Sequence, residues 1–283
     1  MIPTGFSYHR AGSVKEAVNL LAKHGDDAKI LAGGHSLIPA LKLRLNEVGM
    51  LIDIAKIPEL KSISTAAGHL VIGGCCTHSE IAYSRVVKEQ IPMVAEAAEL
   101  IGDVQVRNRG TIGGSLAHAD PAADWPAVML AADALIEVQG PKGSREIKAA
   151  DFFSGFYETA LSDHEVITAI RMPLLTTGTK TSYQKFMQPA SRFALVGCAA
   201  VIKNDGGNAS EVKVAFTGVS EAPFRDSGVE NALKGKTLSV DNIAAAAEHA
   251  AADVSIMSDH FASEEYRKHL AKVYARRALA AAS

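Results

Sequence analysis

The sequence predicts a mixed α+β protein with two domains, and three observations support that prediction. The chain has 283 residues, and a domain usually holds about 150 residues. Its N-terminal part begins with helices and strands that alternate as a β-α-β unit. After a small, polar stretch at residues 176–179 the pattern changes to strands joined by hairpins, followed by helices. We therefore expect one domain at 1–176 and a C-terminal α+β domain, a small antiparallel sheet plus helices, at 177–283.

Composition excludes several classes of protein. The 29 Lys and Arg nearly balance the 31 Asp and Glu, which gives no electrostatic basis for binding nucleic acid. No apolar run approaches the ~20 residues that span a bilayer, and no leader pattern is evident at the N-terminus. The three cysteines form no C-x-x-C motif, so the chain offers no ligands for its own zinc or iron–sulfur cluster. We expect a cytoplasmic protein without a bound metal.

The first helix and the first glycine loop define the N-terminal subdomain. Ser13-Val14-Lys15-Glu16 reads as a capping box that opens a helix ending near Gly25. A strand then runs into Gly33-Gly34, and a second helix is predicted to begin at Ser36 as N-cap, with Leu37, Leu41 and Leu45 at helical spacing. Such an elbow directs several backbone N–H groups to one point, which suits a phosphate or pyrophosphate. An ordinary tight turn is the alternative.

A second glycine loop strengthens the case for a dinucleotide. Residues 109–115 again pair two adjacent glycines, Gly113 and Gly114, with the small hydroxyl residues Thr111 and Ser115. Two such loops converging on one ligand can hold both of its phosphates from opposite sides. Neither loop is a P-loop or a G-x-G-x-x-G fingerprint.

The remaining elements of the N-terminal domain are predicted from apolar runs and from the capping, glycine and proline residues that bound them. Thr77-His78-Ser79-Glu80 is a second capping box, Gly73-Gly74 is taken as a structural strand end, and residues 103–109 read as a polar connector. The pattern predicts strands at 50–54 and 69–74, helices at 91–101 and 127–132, a hairpin of 134–138 with 144–147, and a strand at 166–170 ended by Pro173.

The C-terminal domain begins with a clear hairpin. Asn204-Asp205-Gly206-Gly207 separates apolar runs at 194–203 and 211–219. Helices are predicted at 231–234, 240–254 and 264–282. Glu264 and Arg276 lie near opposite ends of the last helix, as its dipole favours.

Few residues suggest catalytic chemistry. His35, His78 and His118 lie beside glycine loops but lack the short spacing of a metal site. Asp120 and Asp124 suit helix caps and equally suit hydrogen bonds from ligand hydroxyls. No G-x-S-x-G and no nucleophile–base pair is evident, so we expect no catalytic residue in this chain. A dinucleotide-binding chain of this kind is expected to move electrons rather than chemical groups.

Both glycine loops are similar to those of a known family. Residues 32–37 and 111–115 resemble the two FAD pyrophosphate loops of the flavin-binding medium subunit of carbon monoxide dehydrogenase, a molybdenum hydroxylase related to xanthine dehydrogenase. The resemblance extends through Tyr8-His9-Arg10 near the start and Arg276-Arg277-Ala278 near the end, and it covers nearly the whole chain.

The resemblance implies an FAD-binding fold of the vanillyl-alcohol oxidase type. FAD would lie extended between subdomains at about 1–54 and 55–176. Phe193 matches the aromatic position that covers the isoalloxazine ring, where carbon monoxide dehydrogenases have Tyr, and Ser115 replaces a common Asn. The implied FAD contacts are Ala32, Gly33, Gly34, His35, Ser36, Leu37, Ile101, Thr111, Ile112, Gly113, Gly114, Ser115, Asp124, Leu161, Lys185 and Phe193.

The same resemblance implies partner subunits. A large subunit would oxidise the substrate at molybdenum, a small subunit with two [2Fe–2S] clusters would carry the electrons, and FAD in this chain would pass them to an external acceptor. The expected assembly is a dimer of heterotrimers. Two alternatives stay open at this point: a self-sufficient FAD-dependent oxidase or dehydrogenase of a small substrate, and an assembly subunit that has lost FAD.

Overall fold

The first subdomain is built on a three-stranded parallel sheet with strand order β1-β3-β2. The structure, a computed structural model, describes residues 2–283. The elements of this subdomain are β1 (Ser7–Arg10), α1 (Val14–His24), a 3₁₀ turn (Gly25–Asp27), β2 (Ala28–Leu31), α2 (Leu37–Lys42) and β3 (Met50–Asp53). The central strand β3 and helix α1 bury their apolar side chains against each other.

Three local predictions for this subdomain are corrected. Ser36 occupies the position before α2, but its backbone is already helical and its side chain makes no capping bond. Helix α2 ends at Lys42, so Leu45 is not part of its apolar face and is exposed. The Ser13 hydroxyl does accept from Glu16 N at 3.2 Å, whereas the Glu16 carboxylate bonds Gly12 N instead of completing the box.

The second subdomain contains a five-stranded antiparallel sheet with strand order β4-β5-β10-β6-β7. Its strands are β4 (Ile63–Ala66), β5 (His69–Gly73), β6 (Leu135–Gly140), β7 (Gly143–Lys148), β8 (Phe153–Gly155), β9 (Glu158–Thr159) and β10 (Val166–Pro173), with β8 and β9 forming a separate small hairpin. Its helices are a 3₁₀ turn (Pro58–Leu60), α3 (His78–Tyr83), α4 (Arg85–Gln90), α5 (Pro92–Leu100), α6 (Val104–Arg107), α7 (Ile112–His118), α8 (Trp125–Ala131) and α9 (Ala149–Phe152).

Helix starts in this subdomain are fixed by side-chain caps. The capping box at α3 is confirmed, since Thr77 Oγ1 accepts from Glu80 N and the Glu80 carboxylate accepts from Thr77 N. The polar connector predicted at 103–109 is wrong. Asp103 accepts from Val106 N at 2.9 Å and thereby starts the short helix α6.

The C-terminal part is an antiparallel sheet with strand order β11-β12-β13-β14, covered by helices. Its elements are β11 (Thr179–Met187), β12 (Ala194–Asp205), β13 (Asn208–Thr217), β14 (Phe224–Arg225), α10 (Ser227–Leu233), α11 (Val240–Ala247) and α12 (Glu264–Ala281). The predicted hairpin is confirmed, with Gly206 and Gly207 at φ of +59° and +91° forming its turn. Helix α11 ends earlier than predicted.

Both faces of this sheet are buried. One face packs on α10, α11 and α12, while the other contributes Tyr183, Val201 and Ala215 to the core of the second subdomain. The end of the sheet is also hydrogen-bonded to the segment before α8. Thr217 Oγ1 donates to Pro121 O, and Ala194 N donates to Ala122 O. The C-terminal domain thereby positions residues 121–124, which reach the candidate site.

Two further observations concern the whole chain. Cys75, Cys76 and Cys198 carry free thiols and are buried, and burial raises the pKa of Cys75 to about 12 and that of Cys76 to about 11. Those thiols therefore stay protonated and inert. In residues 2–283 we find no helix that combines the length and apolar character needed to cross a bilayer.

Candidate functional site: a cleft between two glycine loops

A cavity of about 540 Å³ lies where the two glycine loops meet, within the usual range for a cofactor pocket. Its wall includes all the implied FAD contacts except Ile112 and Lys185. The predicted residues that line it are Ala32, Gly33, Gly34, His35, Ser36, Leu37, Ile101, Thr111, Gly113, Gly114, Ser115, Asp124, Leu161 and Phe193.

The two glycine loops touch at Gly33. A Cβ at Gly33 would lie 2.4 Å from Arg109 O and 2.8 Å from Gly110 Cα, both backbone atoms that cannot swing aside. Gly34 has a φ of +76°, and a Cβ there would press on Ile38 and Leu31 at 3.1 Å. Glycine at 33 therefore permits the close approach of the loops, and glycine at 34 permits the backbone turn.

The first loop presents unpartnered backbone donors. Within the part of the chain that the structure describes, no protein group accepts the N–H of Gly33, Gly34, His35, Ser36 or Leu37. Because Ser36 does not cap α2, its hydroxyl does not compete for these donors. A run of free N–H groups in a glycine turn is an anion-binding concavity.

The second loop is held rigidly from behind. Thr111 Oγ1 accepts from Gly114 N at 3.2 Å and starts α7, while Gly113 N donates to Gly74 O at 2.9 Å. A Cβ at Gly113 would lie 2.6 Å from that same Gly74 oxygen. Gly74 therefore serves as the structural seat of the second loop. Ile112 N donates to Cys76 O and the Ile112 side chain is fully buried, so this residue lies outside the cavity wall.

His78 lies behind the second loop and also lines the cavity. Its Nδ1 accepts from Trp125 Nε1 at 3.1 Å, and burial lowers the pKa of His78 to about 3. The imidazole is therefore neutral at ordinary pH and carries its proton on Nε2. A Cβ at Gly110 would lie 2.8 Å from that nitrogen. Across residues 2–283 no group of three or more His, Cys, Asp or Glu side chains is arranged for a metal ion.

Asp124 and Lys185 form a buried ion pair beside the cavity. Lys185 Nζ lies 2.8 Å from Asp124 Oδ1 and also donates to Leu100 O at 3.1 Å, while Tyr183 Oη donates to Asp124 Oδ1 at 2.6 Å. Burial raises the pKa of Asp124, and the Lys185 ammonium opposes that shift. Asp124 reaches the cavity, but Lys185 does not line it and is instead placed behind the carboxylate. Asp124 makes no helix cap.

The acidic side chains around the cavity are already paired. Asp120 accepts from Tyr157 Oη at 2.9 Å, Asp124 is paired with Lys185, and Glu165 accepts from Arg145 at 2.8 Å. Lys29 and Arg192 line the same cavity, and among the described residues neither side chain forms an ion pair. A ligand with negative charge fits this balance. Sequence reasoning missed Lys29 and Arg192 because neither belongs to a recognisable motif.

These features fit FAD. The free N–H groups and the two close-packed glycine loops suit its pyrophosphate, and the unpaired cations suit its electron-rich groups. Phe193 lines the cavity with 45% of its surface exposed, as an aromatic cover over a flavin ring would.

Comparison with known proteins also indicates that this chain binds FAD. Residues 4–175 match the family described as "FAD binding domain in molybdopterin dehydrogenase", and residues 181–282 match "CO dehydrogenase flavoprotein C-terminal domain". The chain is 41% identical over 282 residues to the carbon monoxide dehydrogenase medium chain of Hydrogenophaga pseudoflava, covering 100% of this chain and 98% of that one. It is 39% identical to the glyceraldehyde dehydrogenase medium chain of Sulfolobus acidocaldarius, with 98% of each chain covered.

Solved structures extend the comparison to the fold. Carbon monoxide dehydrogenase from Hydrogenophaga pseudoflava, solved without the Mo-pyranopterin moiety of its molybdenum cofactor, superimposes with a TM-score of 0.96 at 42% identity. The match covers 100% of this chain and 98% of that one. The mixed α+β architecture and its C-terminal antiparallel sheet are thereby confirmed.

Proposed function

Because this chain belongs to the family of FAD-binding medium subunits of molybdenum-containing dehydrogenases, we propose that it transfers electrons between subunits. In this proposal it takes electrons from the [2Fe–2S] clusters of a small partner subunit and delivers them to an external acceptor. FAD is its cofactor, and the enzyme it serves is an oxidoreductase. Bound FAD supplies the redox chemistry, accepting electrons at its ring.

The observation that carries this proposal is the contact between the two glycine loops. Gly33 and Gly110 meet at a distance that no side chain allows, and the residues with free N–H groups, Gly33 to Leu37, line the same cavity as Lys29 and Arg192. This arrangement binds and orients a dinucleotide. Asp120, Asp124 and Glu165 are all engaged by other side chains, so the cavity offers no free carboxylate to act as a base on a substrate.

We propose the following site and domain division. Of the sixteen residues implied by the family resemblance, the fourteen that line the cavity contact FAD, while Ile112 and Lys185 act from behind the cavity wall. The chain divides into 1–54, 55–176 and 177–283, and FAD lies between the first two parts. Support comes from the sheets, since β3 ends at Asp53 and β11 begins at Thr179.

We further propose that the chain works in a dimer of heterotrimers with a small [2Fe–2S] subunit and a large molybdenum subunit. Relatives are named as medium chains or subunits, which implies other subunits. Obligate interfaces of this kind bury on the order of 2,000 Å² or more. The buried, unpaired cysteines favour a reducing compartment, and we propose the cytoplasm. The substrate would be recognised in the large subunit.

The test is the reactivity of the purified chain alone. We expect it to bind FAD and to be bleached by dithionite, because the flavin site is complete within the chain. We expect no bleaching by carbon monoxide, purines or aldehydes in anaerobic absorbance measurements. Direct bleaching by any of these would contradict the proposal and favour a self-sufficient dehydrogenase. Failure of the folded chain to take up FAD would favour an assembly subunit.

A further inference from the structure

A short loop at the edge of the cavity holds Arg192 in an unusual conformation. Residues 188–193 close on themselves, since Gln188 N donates to Phe193 O at 2.8 Å and Arg192 N donates to Gln188 O at 2.8 Å. Between these bonds Arg192 adopts a φ of +61°, in the left-handed region that favours glycine. A non-glycine residue persists there only when its surroundings impose the conformation.

The Arg192 side chain lacks protein partners. Its Nε is buried without a hydrogen-bond acceptor, and within residues 2–283 its guanidinium joins no ion pair, although the side chain lines the cavity. Arg267 also has a buried, unpartnered Nε, but its Nη atoms donate to Leu195 O, Gly218 O and Asp259. Arg267 therefore has a structural role, connecting three segments of the C-terminal domain by hydrogen bonds. An arginine without any such anchor at a cavity wall is free to donate to a ligand.

The cavity's own carboxylates do not supply that acceptor, because Asp120, Asp124 and Glu165 are bonded elsewhere. The position of Arg192 in the fold indicates which part of the ligand supplies the acceptor. Ala194, next to the Arg192 loop, is bonded to Ala122 in the segment that carries Asp124. The glycine loops are instead seated on each other and on Gly74. Arg192 is the chain neighbour of Phe193, the residue proposed to cover the flavin ring, and both residues line the cavity.

We propose that Arg192 holds its positive charge against the flavin ring and makes the bound FAD easier to reduce. This inference rests on the proposed function. Reduction by two electrons and one proton adds one net negative charge to the ring, which a fixed neighbouring cation stabilises. The electrons come from iron–sulfur clusters in the complex and from dithionite in the test below. Arg192 is thus a residue that tunes the cofactor, in addition to the contacts implied by the family resemblance.

The test compares flavin midpoint potentials in the full chain loaded with FAD. Arg192→Gln removes the charge, Arg192→Lys keeps it, and Arg276→Gln removes an equal charge from the exposed side of α12, outside the cavity. We expect Arg192→Gln to shift the reduced-to-oxidised equilibrium about tenfold toward the oxidised form. For a two-electron couple that is a potential about 30 mV more negative. Arg192→Lys should recover most of the shift, and Arg276→Gln should show none.

Potentials are read by dithionite titration with a reference dye, together with dissociation constants for oxidised and reduced FAD. An unchanged potential in Arg192→Gln would overturn this inference while leaving the proposed function intact. If Arg192→Gln weakens the binding of oxidised and reduced FAD equally, the inference is also overturned, because Arg192 then contacts a part of FAD whose charge does not change. A wild-type flavin that dithionite does not reduce would contradict the proposed function and, with it, this inference.

Discussion

Single residues at the site are constrained by backbone geometry more than by side-chain chemistry. At position 33 a side chain is excluded by the neighbouring loop, whereas at position 34 glycine is favoured by the backbone φ of +76°. His78 is fixed by Trp125, which selects its tautomer. Such constraints explain why a site with few polar side chains can still define one geometry for a ligand.

Gly34→Val should weaken FAD binding roughly ten- to a hundredfold. Backbone strain at such a φ costs about 1–3 kcal/mol, and about 1.4 kcal/mol corresponds to tenfold in affinity. Gly68→Val is the matched control, because Gly68 shares a φ of +76° but a Cβ there would meet no atom within 4 Å. It should lose stability and keep FAD affinity. Isothermal titration with FAD checks both variants, and full affinity in a folded Gly34→Val protein would refute the role of Gly34.

His78 should make the protein sensitive to acid. Its folded pKa of about 3 lies below the ordinary value of about 6.5, so the unfolded chain binds the proton more readily. Stability is therefore complete above the ordinary pKa and falls as the pH drops below it. Relative to His78→Gln, the wild type should lose about 2 kcal/mol more between pH 7.5 and pH 5. Urea unfolding at both pH values measures this, and parallel losses would contradict a buried neutral imidazole.

At the scale of elements, the sheet of the C-terminal domain supports the site. Strand β11 brings Lys185 and Tyr183 to Asp124, the residue just before α8, and Lys185 also reaches the last residue of α5 through Leu100 O. One ammonium thus joins three elements around the cavity wall. We expect its effect on a bound cofactor to be exerted through the positions of Asp124 and Ile101.

Lys185→Met should destabilise the protein by about 3–5 kcal/mol, because it leaves a buried carboxylate without its counter-ion. Adding Asp124→Asn should recover much of that loss, since the amide is neutral and its oxygen still accepts from Tyr183. Thermal and urea unfolding of the single and double variants give the comparison. If the double variant is as unstable as Lys185→Met alone, the buried pair is not the source of the loss.

The sequence identifies those elements whose signals are local. The first glycine loop, the Thr77 capping box and the Gly206-Gly207 hairpin depend on neighbouring residues, and each lies where the sequence predicts it. The second glycine pair is predicted as a loop, but Gly113 and Gly114 lie in the first turn of α7. Leu45 is misassigned because helical spacing continues in the sequence after α2 has ended. Lys29 and Arg192 are missed, and the Asp124–Lys185 pair is not foreseen, because these roles arise from contacts between segments far apart in the chain.

At the scale of the whole molecule, residues from the N-terminal and the C-terminal parts of the chain line one cavity. The first glycine loop follows β2 of the parallel sheet, the second is hydrogen-bonded to Gly74 just after β5 of the antiparallel sheet, and Arg192 and Phe193 lie in the connection between β11 and β12. Phe193 keeps nearly half of its surface exposed in that connection. A flavin ring there would be reachable by an electron donor on another subunit and by an outside acceptor.

The most direct measurement of the central claim is substrate-driven bleaching of the flavin with and without partners. The chain is expressed alone and together with its proposed small [2Fe–2S] and large molybdenum subunits, and flavin absorbance is followed anaerobically after addition of substrate. We predict that substrate bleaches the flavin only in the complex, while dithionite bleaches it in both preparations. Bleaching of the isolated chain by substrate, or an intact complex whose clusters are reduced while its flavin stays oxidised, would contradict it.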